Sequence, residues 1–301
     1  MEIKPKNIKI PVYGNCALCS ENKILSGEHM LGAWIGRVTK EIAPLIENSL
    51  NIPHLNINRT RYGKPPGGHA NTKLIVLCYE CNNVFSSKIQ ESVVSTLTPL
   101  LNGEWGSMSN NHRINLTNWF ICFAMVRQCL DPQLITFTRN ERRNFRRTKE
   151  IPDGTELWAI PMANDENTSR TWHRAFAWKP RVVKNRNLDS YLILCNVGKV
   201  MFIGFGTSNK DLADENTHAH LALVKVLSKS GARRIWPIRS KFPAHKPRKE
   251  VTPQTYKFVV PFLTNVLEYS EIFLNNELSD DFEINEFAMQ IYGPPFGSAV
   301  I

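Results

Sequence analysis

Nowhere in its 301 residues does this sequence approach the roughly 18 consecutive apolar residues that a membrane-spanning helix needs. Its opening stretch, MEIKPKNIKIPVYGN, lacks the apolar core of a secretory leader, so a cytoplasmic location is expected. Internal repeats and long low-complexity tracts are also missing. Basic residues stop at Lys257, beyond which stand seven acids: Glu268, Glu271, Glu277, Asp280, Asp281, Glu283 and Glu286. Cysteine is present but odd in number, at seven, and a reducing compartment does not favour disulfides, so no disulfide framework is expected.

What remains is the composition of a packed protein, 42% hydrophobic and 10% aromatic, with a net charge of +10. Residues 1–257 hold all 37 bases and 20 of the 27 acids, a net charge of +17. A body that positive attracts polyanions, among which phosphate backbones are the commonest. The length suits two domains. Residues 1–105 carry two cysteine pairs and many turn signals, such as Gly63-Lys64-Pro65-Pro66-Gly67-Gly68; residues 106–301 form a helical linker, a mixed α/β part and an acidic tail. Helical spacing is expected over Val38–Leu50 despite Pro44, from Asn82 to Leu101, over Leu116–Leu130, and around Gln254–Leu274. Cys122 and Cys129 on the third of these read as small core residues. Short strands are expected at Glu156–Pro161, Tyr191–Val197 and Lys199–Phe205, the last two joined in a tight turn at Gly198. Ala222–Leu227 and the basic IWPIRSKFPAHKPRK stretch follow.

Four of the cysteines fall in two C-x-x-C pairs, Cys16-Ala-Leu-Cys19 and Cys78-Tyr-Glu-Cys81. A two-residue gap sets two thiolates on one ion, and two such knuckles complete a tetrahedral four-sulfur site, for which zinc is the usual metal. Such a site is closed, so its role is structural: it staples together a loop of about sixty residues. Between the pairs comes Glu28-His29, within GEHMLGAW; directly after the second comes Asn82-Asn83, within LIVLCYECNN.

In that order and topology the chain resembles the HNH, or ββα-metal (His-Me finger), endonucleases, in particular the zinc-containing type typified by phage recombination endonuclease VII. The likeness covers roughly residues 14–130, because CNNVFSSKIQESVVSTLTPLLNGE and the apolar helix containing Trp119 are similar to bacterial HNH-endonuclease-like proteins. The resemblance implies an α+β fold with a zinc-stapled ββα-metal domain. It also implies that Glu28 and Asn82 hold a catalytic divalent ion, Mg²⁺ or Mn²⁺, and that His29 is the general base. Phosphodiester hydrolysis needs a base for water, a cation on the phosphate and stabilisation of the leaving oxygen. A free imidazole, with a pKa of about 6.5, is neutral and basic at cytosolic pH. The chain departs from the family in using Glu rather than Asp at position 28. Lys73 stands near the place where the family's second strand offers an orienting Asn, with Asn71 two residues earlier.

Nucleic-acid contacts are expected from Arg59, Arg61, Lys64 and Lys73, and from Arg142, Arg143, Arg146 and Arg147 in the densest basic run, Arg139–Lys149. A solvated helix face is the alternative for that run. His54 and His69 read as loop histidines. Trp158, Trp172, Trp178 and Trp236 suit either core packing or a base-reading pocket. The expected function is metal-dependent cleavage of DNA, with restriction or anti-phage defence as the setting by family analogy. A homodimer is expected if both strands are cut, and the C-terminal half is the place for a regulatory partner. A non-catalytic zinc-containing nucleic-acid-binding module and a ribonuclease are the alternatives.

Overall fold

Two sheets and the helices between them make a mixed α+β fold in the computed structural model, which describes residues 11–39, 73–130, 132–163, 170–176, 188–214, 218–243, 246–247, 249–251 and Leu263. The smaller sheet is antiparallel, in the order β1 (Val12–Asn15), β2 (Asn22–His29), β3 (Lys73–Cys78). The turn from β1 to β2 is the first cysteine knuckle. It is closed by Ser20 N donating to Cys16 O at 2.9 Å and Cys16 N donating to Glu21 O at 2.9 Å. Ser20 sits at φ 59°, a left-handed conformation that non-glycine residues adopt at some cost. Between β2 and β3 the register slips: Ser26 faces Leu77, but Gly27 faces Ile75, leaving Val76 as the extra residue of a bulge.

After β2 the chain turns at Gly32, φ 86°, into α1 (Ala33–Thr39). A Cβ on Gly32 would lie 2.5 Å from Gln90 Oε1, the same atom that accepts the Trp34 indole N–H at 2.8 Å. Glycine is therefore required where α1 is tied to the next helix. That helix begins with a π-helical turn, Glu80–Ser86, and continues as α2 (Ser87–Leu101), two residues ahead of the start expected at Asn82.

The apolar helix expected from Leu116 starts six residues earlier, as α3 (Asn110–Gln128), because Ser109 caps it, accepting from His112 N at 3.2 Å. Every residue from Leu116 to Gln128 is buried, as befits a helix with no polar face. The polar first turns hide one charge. Arg113 is 1% exposed, and it donates from Nε to Ile235 O at 3.0 Å and from a terminal nitrogen to Arg234 O at 3.1 Å.

The larger sheet runs in the order β5-β6-β7-β4-β8, from β4 (Glu156–Pro161), β5 (Arg170–Phe176), β6 (Ser190–Val197), β7 (Val200–Thr207) and β8 (Arg233–Trp236), all pairs antiparallel. The β6–β7 turn uses Lys199 as well as Gly198, and Lys199 N donates to Leu101 O at 2.9 Å, docking the hairpin on the end of α2. Every residue of β4, β6 and β7 is buried, because both faces are covered. On one face lies α3: Trp119 and Phe120 pack on Phe202, with ring centroids 5.6 and 6.4 Å away, and a Cβ at Gly204 would collide with the Phe120 ring. On the other face lies α6 (His218–Lys229), whose Ala222, Leu223, Val226 and Leu227 join Trp158, Ile160 and Ile203. Between β7 and α6 stands the short α5 (Lys210–Ala213).

One apolar cluster runs without a break from Cys16 and Ile35 through α2 and α3 to Leu157, Ile193 and Phe202. The division expected at residue 105 thus falls inside a shared core. Among the described residues no helix is long and apolar enough to cross a membrane. Residues 40–50 of the expected Val38–Leu50 helix lie outside the described residues, as do His54, Arg59, Arg61, Lys64, His69, Asn71, Trp178, the Gln254–Leu274 helix apart from Leu263, and the acidic tail.

Candidate metal centre and the seam beside it

The first knuckle is a turn between β1 and β2, whereas the second is the junction of β3 with the π-helical turn. Pairing β2 with β3 brings them together. The sulfurs of Cys16, Cys19, Cys78 and Cys81 all lie within 4.8 Å of one another. Zinc–sulfur bonds of about 2.3 Å at tetrahedral angles put sulfurs about 3.8 Å apart. Cys19 Sγ and Cys78 Sγ are 3.9 Å apart. This donor set could hold a metal such as zinc. Cys78 N donates to Cys16 Sγ at 3.4 Å, a backbone bond that favours a charged sulfur. The Cys16 thiol is lowered to about 4, chiefly because the Cys81 thiol donates to it, and Cys81 as that donor is raised. Burial pushes Cys19 up to about 11. Four thiols this close resist shedding four protons in the absence of a cation, and a divalent ion reverses that balance.

Directly beyond Cys81 lies a polar seam between the helix and β2. Asn82 Nδ2 donates to Ser26 Oγ and to Gly27 O, each at 3.0 Å. One turn on, Ser86 Oγ donates to Glu28 Oε1 at 3.2 Å, and Cys122 Sγ on α3 approaches Ser86 Oγ at 3.8 Å. Glu28 is only 8% exposed, and burial raises its carboxyl to about 7. The Asn82 amide nitrogen is thus committed to β2. His29, the last residue of β2, is half-buried and faces Lys73 in register; the Lys73 side chain is outside the described residues. The structure thus brings Glu28 and Asn82 to one seam and sets His29 at its end. Ser86, four residues after Asn82 on the same helical face, was not foreseen; the helical spacing was its only signal.

The basic run lies against the cysteine knuckles, with Arg143 and Arg147 exposed. It forms α4 (Arg139–Thr148), opened by a reciprocal cap between Thr138 and Glu141. Phe145 is fully buried, edge-on to Phe85 at 5.6 Å. Arg146 donates from Nε to Cys81 Sγ at 3.3 Å, with its guanidinium 4.7 Å above the Phe85 ring. Arg143 donates to Cys19 O and Arg139 to Ser20 O, both at 3.3 Å. Arg142 is half-buried, and Arg147, exposed, touches Asn144.

Cys122 is buried in the core, as expected, and Cys129 is half-buried with its thiol on Met125 O at 3.4 Å. Trp158 packs in the α6-side cluster with Trp172 against it, whereas Trp236 packs against the α3-side cluster. They do not build one base-reading pocket. No protein-family model, curated protein or solved structure matches this chain.

Proposed function

We propose that this chain is a metal-dependent HNH-type endonuclease, stapled by zinc at Cys16, Cys19, Cys78 and Cys81, that hydrolyses phosphodiester bonds of DNA. The reading rests on one observation: the residue that follows the fourth cysteine, Asn82, is hydrogen-bonded to the strand residues that immediately precede Glu28 and His29. A sulfur-held pin beneath such a joint would hold a strand carboxylate and a helix amide on one seam, as a one-ion phosphodiesterase needs. His29 would take the proton of the attacking water. A Mg²⁺ or Mn²⁺ ion held by Glu28 and Asn82 would neutralise charge on the phosphate and on the leaving oxygen. Residues 106–301 would aim or control the cut, in a setting such as restriction or defence.

A second reading, a zinc-containing nucleic-acid-binding module without activity, is favoured by the Glu28 environment. A carboxyl whose pKa is raised to about 7 beside a neutral hydroxyl is a weak cation ligand. The test incubates supercoiled plasmid and an RNA transcript with the full chain and Mg²⁺ or Mn²⁺. Wild type should nick the plasmid, His29→Ala should lose at least about 100-fold in rate while folding normally, and chelation should abolish cutting. Cleavage of RNA alone makes it a ribonuclease; cleavage of neither makes it the binding module.

A further inference from the structure

We infer that α4 is the outer clamp of the four-sulfur centre, with Arg146 as the positioning residue for Cys81, so that metal loading decides whether α4 stays docked. Three arginines at the spacing of one helical face, 139, 143 and 146, each direct a guanidinium nitrogen at a knuckle. They span about 10 Å of helix, enough to bridge both knuckles at once. Arg139 and Arg143 take the carbonyls of Ser20 and Cys19, the strained end of the first knuckle. Arg146 takes a sulfur of the second. Phe145 fixes the height of the helix by filling the space beside Phe85.

The electrostatics agree. A divalent ion with four thiolates has a formal charge of −2, and hydrogen bonds from charged donors to such sulfurs are the stronger kind. Arg146 is held in place from its other side by the Phe85 ring, so its Nε–H is presented to Cys81 in advance. The two knuckles belong to segments some sixty residues apart, and an ion bound by all four sulfurs would add to the β2–β3 pairing in holding them at the spacing of the arginine stripe. Without it, α4 bridges two turns that strand pairing alone keeps in place, and its hold on them weakens. The inference rests on the sulfur centre and is independent of nuclease activity.

The test uses the full chain loaded with zinc and follows transfer of the ion to a chromophoric chelator. Arg146→Met should release zinc about 10-fold faster or more, the usual scale for losing an outer partner of a metal ligand. Arg147→Met, on the exposed side of the same helix, should match wild type. Equal release from the two variants overturns the inference, and so does failure of the wild-type chain to hold zinc at all. A second measurement needs no variant: hydrogen exchange before and after chelation. Residues 139–148 should lose protection while β6 and β7 keep theirs. Retained protection in α4, or loss that extends to β6 and β7, overturns it equally.

Discussion

The two sheets of this protein are held together by different means. In the five-stranded sheet every residue of β4, β6 and β7 is buried, with α3 on one face and α6 on the other. In the three-stranded sheet Tyr13, Ile24 and Ile75 are more than half exposed. Burial of an apolar side chain contributes about 1.5–3 kcal/mol, and a sheet that leaves such residues in water lacks that support. The small sheet has the four sulfurs in its place. A metal bound there would hold what burial does not.

Cys78→Ser should have the largest effect. Structural zinc contributes on the order of 10 kcal/mol to small metal-held folds, so the variant should purify without zinc and become open to proteolysis within residues 11–39. The five-stranded sheet should persist; if both regions melt together, the contrast between them fails. Next comes Phe202→Ala. Phe202 is fully buried beneath Trp119 and Phe120 on the shared side of the large sheet, so its loss should cost about 3–5 kcal/mol in urea unfolding while zinc stays bound.

At neutral pH the last effect vanishes, because it is one of pH. His173 on β5 is fully buried, with no hydrogen-bond partner on either ring nitrogen among the described residues. Burial, helped by the charge of Arg127, lowers it to about 3 from 6.5. Below pH 6.5 the unfolded chain takes up a proton that the folded chain refuses, so stability present above that pH is lost as pH falls towards 3. The slope should approach about 1.4 kcal/mol per pH unit, and His173→Leu should flatten it in denaturation curves taken between pH 7 and 4.

The four-cysteine cluster was legible because its signal is local: a gap of two residues, twice. So were the strands at Glu156, Tyr191 and Lys199 and the helix that follows Asn82, each marked by apolar pattern and turn residues. The rest depends on partners distant in sequence. Nothing near Arg146 announces that its donor belongs to Cys81, 65 residues away. Strand β5, RTWHRAF, went unseen because charged residues alternate with aromatics and its place at the sheet edge follows from pairing with β6. The early start of α3 was hidden for a similar reason: its first turns look polar, yet Arg113 is buried through carbonyls contributed by β8.

That arginine has a consequence for the order of assembly. Its acceptors lie more than 120 residues later, so while the chain is being made the guanidinium has to keep its hydration until β8 emerges. The helix that joins the two sheets is therefore among the last parts to become dry at its N-terminal end, and the finished molecule is sealed there by carbonyl oxygens.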